Sequence, residues 1–336
     1  MDTWDVLRIV WFFLIGAFFA GYSLLDGFDL GTGILFPILG KREKEKKALI
    51  DSIGPFWDGN EVWILTGGGA LFAAFPHAYA TVFSGFYLAF MVILFALIFR
   101  AVSLEFRAHD TKRKSFWEGA FFAGSFLPAL LLGVALGNVI VGVPLNESMN
   151  FTGGFFTLLR PLPLAMGLLG LAAFLMQGST YAAMKTEGSV QLKARKTARI
   201  VWILYALFFL FAFCAACITF REALNKIAAW GSTGLFIGAL AVLRNALLKA
   251  RDSLAFWMSC TAFLGLWGIA GAVHFPNLVR ASNDPAFSLT IANASSSELT
   301  LKVMTIIALI GMPLVVAYTI YLYKVFKGKV PAQADP

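Results

Sequence analysis

The chain has 336 residues, 59% of them hydrophobic and 14% charged, with three cysteines and a net charge of +8. A soluble domain of this size carries roughly 25% charged residues, so the composition excludes one and points to an all-α polytopic membrane protein. The period-2 alternation of barrel strands is absent, and Cys214, Cys217 and Cys260 all lie in apolar runs, which leaves no disulfide framework outside a membrane.

The N-terminus, Met1-Asp2-Thr3-Trp4-Asp5, lacks the positive region and small-residue cleavage site of a signal peptide, so the first apolar run reads as a retained helix. Nine spans are predicted, at 6–26, 58–75, 79–103, 117–142, 161–184, 198–220, 228–247, 254–275 and 301–325, in a single integral membrane domain covering 1–336. The apolar sequence allows the first helix to run on past Asp26 toward Leu39, and the second to begin near Ile50. Nine spans place 21 of the 27 lysines and arginines on one side, in clusters around Lys41–Lys47, Arg100–Lys114, Lys185–Arg199, Arg244–Arg251 and Lys324–Lys329. This positive-inside asymmetry predicts an outside N-terminus and a cytoplasmic C-terminus. It assigns the basic excess to loops beside membrane lipid, not to nucleic acid. The outer loops near 143–160 and 276–300 are too short to be domains, and Pro331–Pro336 reads as a frayed tail.

Two acidic, glycine-rich stretches interrupt the apolar sequence. In Leu24-Leu25-Asp26-Gly27-Phe28-Asp29-Leu30-Gly31, Asp26 and Asp29 are three apart and share a helix face. In Gly54-Pro55-Phe56-Trp57-Asp58-Gly59-Asn60-Glu61-Val62-Trp63, Asp58 and Glu61 repeat that spacing, and Trp57 and Asn60 can donate hydrogen bonds to a buried carboxylate. Carboxylates at membrane depth are costly and mark proton or cation paths by default. Two bland readings stay open beside that one. They are an interfacial position for the aspartates, just before the basic loop, and an aromatic belt with a helix cap for the second stretch. Arg100 ends the apolar run Phe90–Phe99. It either pairs with Asp29 or Asp58 or serves as an inner-face anchor. Asn138, Gln177 and Thr180 read as interhelical hydrogen-bonding residues.

The three histidines, His77, His109 and His274, are not paired at ligand spacing, and no phosphate loop, nucleophile triad or dinucleotide fingerprint occurs. This counts against an ATP-driven pump or a self-contained redox enzyme. The alternative from another class is an H⁺- or Na⁺-coupled secondary transporter, which also places acidic pairs beside Gly/Pro-interrupted helices. The odd span number and the lack of visible repeats count against it.

Asp26-Gly27-Phe28-Asp29-Leu30-Gly31, the block Trp57-Asp58-Gly59-Asn60-Glu61-Val62-Trp63, Phe83-Ser84-Gly85-Phe86-Tyr87, Phe99-Arg100, Gly137-Asn138 and Gln177-Gly178-Ser179-Thr180-Tyr181 closely resemble subunit II of the bacterial cytochrome bd-type quinol oxidases. The resemblance covers nearly the whole chain. It implies nine helices arranged as two four-helix bundles plus one additional helix, in the bacterial cytoplasmic membrane. It implies a haem-bearing partner, subunit I, which holds haem b and haem d and the quinol site, and it allows a small single-helix subunit. The implied reaction oxidises quinol and reduces dioxygen to water. This chain then contributes no catalytic residue, cofactor site or metal site of its own. It supports subunit I and lines a proton route through Asp26 or Asp29, Asp58 and Glu61, with Arg100 as charge partner and Trp57, Asn60 and Trp63 in support. The link between spans six and seven, about Arg221 to Ile227, is shorter here than in some members.

Overall fold

The computed structural model describes residues 2–330, the side chains at 223 and 224 excepted; the tail expected at 331–336 lies outside the described residues. Helix α1 (Thr3–Leu25) starts at Asp2, whose side chain accepts from the Asp5 amide at 2.7 Å. It breaks at Asp26 and resumes as α2 (Gly27–Leu39), so the apolar first segment does continue to Leu39. A short charged helix, α3 (Glu43–Ile53), precedes α4 (Trp57–Ala74) and occupies the stretch from which the second span was expected to begin.

The expected span 79–103 is two helices. Pro76 supplies the first residue of α5 (Pro76–Gly85), and the chain turns at Phe86 before α6 (Tyr87–His109). Then follow α7 (Lys114–Val141), α8 (Pro161–Lys185), α9 (Gly188–Thr219), α10 (Ile227–Leu248) and α11 (Asp252–His274). Helix α9 begins ten residues before the expected 198 because Val190, Ala194 and Ala198, spaced four apart, are fully buried. A small hairpin pairs β1 (Asn277–Val279) antiparallel with β2 (Leu289–Thr290), and α12 (Glu298–Val325) closes the fold.

Among the described residues eight helices are long and apolar enough to cross a membrane: Thr3–Leu39 taken together, and α6 to α12. Helix α4, expected as a span, forms but falls outside that set. It is only 18 residues long, and Asp58, Asn60 and Glu61 occupy its first turns.

Helix α2 lies between α7 and α8, where backbone meets backbone. A Cβ on Gly31 would overlap the Phe174 carbonyl and stand 2.8 Å from the Gly178 Cα. This is the close approach that small residues permit between membrane helices. Helices α6 and α7 meet in the same way at Gly124, where a Cβ would lie 2.8 Å from the Arg100 backbone nitrogen. Helix α8 packs on α9 and α11, α10 packs on α11, and α1 packs on α4. Helix α12 touches α1 and α4 and buries only Leu301 among its residues.

Charge gathers at one end of the molecule. Arg107 bridges Glu43 and Glu118 at 3.0 and 2.9 Å, Lys46 also reaches Glu118, Lys193 holds Glu45 at 2.7 Å and Arg195 holds Asp252 at 2.6 Å. At the other end the loops join through Asn283 to Leu145 and Trp4 to Ser296.

Candidate functional site: a buried carboxylate cluster on one arginine

Arg100 organises the site. Its guanidinium is wholly buried, with Nη2 on Asp26 Oδ1 at 2.8 Å, Nη1 on Asp26 Oδ2 at 3.2 Å and Nη1 on Glu61 Oε1 at 2.5 Å. The two parallel bonds to Asp26 are the bidentate fork that only arginine offers. The pairing of Arg100 with Asp29 or Asp58 and its reading as an inner-face anchor are therefore corrected: its partners are Asp26, which the family resemblance included among its charge partners, and Glu61. Three elements meet here. Asp26 sits in the α1–α2 break, Glu61 one turn into α4, and Arg100 on α6 where Gly124 lets α7 close over it.

Asp29 is equally buried and takes a different partner. Its Oδ2 accepts from Asn60 Nδ2 at 2.7 Å, and Asn60 also donates to the Leu25 carbonyl at 2.9 Å. The donor role expected of Asn60 is met, while Trp57 is half-buried and Trp63 packs on Phe18 and over Gly21. Asp29 Oδ1 is buried without a hydrogen-bond partner. Glu61 keeps about a fifth of its side chain exposed, and Asp58, one turn earlier, is exposed. Asp58 therefore does not join the buried group, although the i, i+3 spacing placed it beside Glu61.

The charge balance is unequal. Asp26, Glu61 and Asp29 surround one guanidinium, and full ionisation leaves two uncompensated negative charges in a low-dielectric interior. Such a site is accommodated by taking up a proton or a second cation.

Sequence reasoning missed other polar groups nearby. The Thr32 hydroxyl and the Gln177 Oε1 are buried without a partner, Gln177 Oε1 lying against Gly27, and the Tyr22 and Tyr323 hydroxyls are buried near Asp26 and Asn60 without a hydrogen bond of good geometry. A lone tyrosine or threonine in an apolar helix carries no pattern of its own, so only the fold reveals these. The expected interhelical role of Thr180 is present, at 3.1 Å from Ser259, and Gln177 Nε2 reaches Cys260 Sγ at 3.7 Å. Asn138 bonds instead to its own helix, at Val134, and to the Leu158 carbonyl.

Among the described residues no group of three His, Cys, Asp or Glu side chains is placed to hold a metal. His274 Nε2 stands 3.1 Å from the Leu278 carbonyl and His109 Nδ1 3.0 Å from the Glu105 carbonyl.

The family model for cytochrome bd terminal oxidase subunit II matches residues 7–326. The chain belongs to that family. The cytochrome bd-I ubiquinol oxidase subunit 2 of Escherichia coli (strain K12) is 36% identical over 98% of this chain and 97% of its own length. The cytochrome bd ubiquinol oxidase subunit 2 of Bacillus subtilis (strain 168) is 34% identical over 96% and 97%. In fold, the chain superposes on a chain of the bd oxidase of Geobacillus thermodenitrificans with a TM-score of 0.80, covering 96% of this chain and 98% of that one at 16% identity. The family assignment places the carboxylate cluster in a protein of respiratory electron transport and leaves the transporter reading without support.

Proposed function

We propose that this chain is the subunit II of a bacterial quinol-oxidising, dioxygen-reducing complex, and that its carboxylate cluster lines the route by which cytoplasmic protons reach the oxygen-reducing centre. The observation that carries the reading is Arg100 shared between Asp26 and Glu61, with Asp29 beside it lacking a partner on one oxygen. A group that holds more carboxylates than cations binds a proton readily and releases it when a neighbour's charge changes. Glu61 and exposed Asp58 extend the group to the open face of α4, where the haem-bearing subunit I docks. The bound haem b and haem d of subunit I supply the redox chemistry; this chain holds protons.

We divide the helices into two four-helix groups, one of the first segment with α4, α6 and α7, the other of α8 to α11, with α12 as the additional helix; α1 on α4, α6 on α7, α8 on α9 and α10 on α11 pack within them, and α2 and α7 pack on α8 at the seam between them. In that arrangement α4 is the ninth span. Its polar first turns face the partner subunit instead of lipid. The charged end, rich in lysine and arginine, is the cytoplasmic one, so the N-terminus is outside.

The test uses the whole complex. The tagged chain, purified from gently solubilised membranes, brings down a large haem-bearing partner with b- and d-type absorption. Asp29→Asn and Asp58→Asn then lower oxygen consumption severalfold at normal haem content. Unchanged turnover in both variants sinks the proton-route reading, and a colourless chain without partner sinks the oxidase reading.

A further inference from the structure

The charged-end side of Asp29 is closed by an aromatic layer that the proton-route reading does not use. Asn60, the partner of Asp29, stands one turn above Phe56, whose carbonyl accepts the Asn60 amide at 3.0 Å. The Phe56 ring stacks on Tyr323 of α12 at 4.5 Å between centroids. Tyr323 in turn meets Phe28, the residue before Asp29, edge-on at 6.5 Å, and Phe28 stacks on Tyr181 at 4.0 Å.

The two phenols of this layer differ. The Tyr181 hydroxyl is committed, donating to the Ser52 carbonyl at 2.7 Å. The Tyr323 hydroxyl is buried and makes no hydrogen bond of good geometry; Asn60, which also donates to Asp29 Oδ2 at 2.7 Å, is its nearby polar neighbour, and the Asp29 charge acts on it through space. A buried hydroxyl left without a partner is costly and calls for a reason. Asp29 Oδ1 is the matching free acceptor.

The end of α12 is also fastened. Lys185 Nζ, at the end of α8, donates to the Phe326 carbonyl at 2.6 Å and the Gly328 carbonyl at 3.1 Å. The Val330 amide donates to the Lys185 carbonyl at 2.7 Å. Helix α12 is otherwise almost bare, so these bonds and the Phe56 stack locate Tyr323.

We propose that the Tyr323 hydroxyl is the relay between the charged end and Asp29, a positioning and proton-passing residue of the same route. The step is neutral overall. The phenol oxygen takes the excess proton of a hydronium on the charged-end side, leaving water, while its own proton passes to the Asp29 carboxylate at Oδ1, directly or through a shared water, so that the phenol is regenerated and one proton has moved onto Asp29. Tyr181 cannot substitute, because its proton is held by Ser52. The inference rests on the proton-route reading.

The experiment compares Tyr323→Phe with Asp29→Asn in the assembled complex. Phenylalanine keeps the stack on Phe56 and removes only the hydroxyl. Tyr323→Phe is expected to keep normal haem content, to lower kcat severalfold and to raise the solvent deuterium isotope effect, which a purely structural role does not move. Wild-type kcat and isotope effect in a haem-replete Tyr323→Phe complex overturn the relay. If Asp29→Asn is slow in the same experiment, the proton route itself stands. A slow Tyr323→Phe beside an Asp29→Asn that turns over normally also overturns it, since Asp29 is then not the acceptor. Should Tyr323→Phe fail to assemble, a more acidic fluorotyrosine at position 323 preserves the shape. Displacement of the alkaline limb of the pH–rate profile to lower pH then supports the relay, and superimposable profiles overturn it.

Discussion

Arg100 and Asp26 face each other through two parallel hydrogen bonds, at 2.8 and 3.2 Å, and neither side chain has exposed surface. The pair joins α6 to the break between α1 and α2. A buried pair of this kind is weak evidence for net stability, because desolvation offsets most of the attraction, but removing one partner leaves the other charge stranded.

Arg100→Leu is therefore expected to destabilise the protein by about 3–5 kcal/mol, read as loss of detergent-soluble, monodisperse protein. Adding Asp26→Asn and Glu61→Gln to Arg100→Leu removes the stranded charges and restores most of the yield. Arg100→Lys keeps the charge without the fork and falls between. Equal yields for the single and triple variants contradict this account.

The contact between Gly31 and Gly178 makes a steric prediction. A Cβ on Gly178 would lie 2.5 Å from the Thr32 amide nitrogen, and neither backbone has room to move between α7 and α8. Gly31→Ala and Gly178→Ala are each expected to cost about 1–3 kcal/mol or more through helix separation. Gly238→Ala on α10, where nothing lies within 4 Å, is expected to be neutral or to stabilise by roughly 0.5–1 kcal/mol. Thermal unfolding of the three variants in one detergent decides it.

Glu45 on α3, outside the membrane-spanning segments, predicts a pH dependence. Burial raises its carboxyl, but hydrogen bonds from Lys193 and Ser189 and from the Arg42 and Lys41 amides outweigh that and bring it down to about 2. A carboxyl depressed in the folded state stabilises it above the unfolded carboxyl range, and that contribution fades as pH falls toward 2. Because Lys193 is a third exposed, the contribution is discounted to on the order of 2 kcal/mol. Glu45→Gln is expected to lower Tm at pH 7, with the gap to wild type closing as pH falls below about 4. A gap that stays constant between pH 7 and pH 3 rejects the assignment.

Much of the fold is legible in the sequence because hydropathy and span length are local properties. Helices α7, α8, α10, α11 and α12 begin and end within about three residues of their expected positions. The failures are local too. Pro76 and the turn at Phe86 divide one expected span, and the buried stripe of Val190, Ala194 and Ala198 extends α9 into a stretch whose basic residues read as loop. The polar start of α4, which hydropathy alone ranks low, is where the candidate site lies.

The sequence by itself determined that carboxylates stand at membrane depth, that glycines flank them and that one arginine ends the neighbouring apolar run, since residue type and spacing along a helix need no partner to be read. Only the tertiary structure decided the pairing. Asp26 rather than Asp29 took the arginine, Glu61 joined it while Asp58 stayed exposed, and Tyr323, some 290 residues along the chain, came to rest against Phe28, the neighbour of Asp29. Each of these depends on which helix faces cross, and crossings such as those at Gly31 and Gly124 are set by side-chain volume across the whole bundle, which no local window contains.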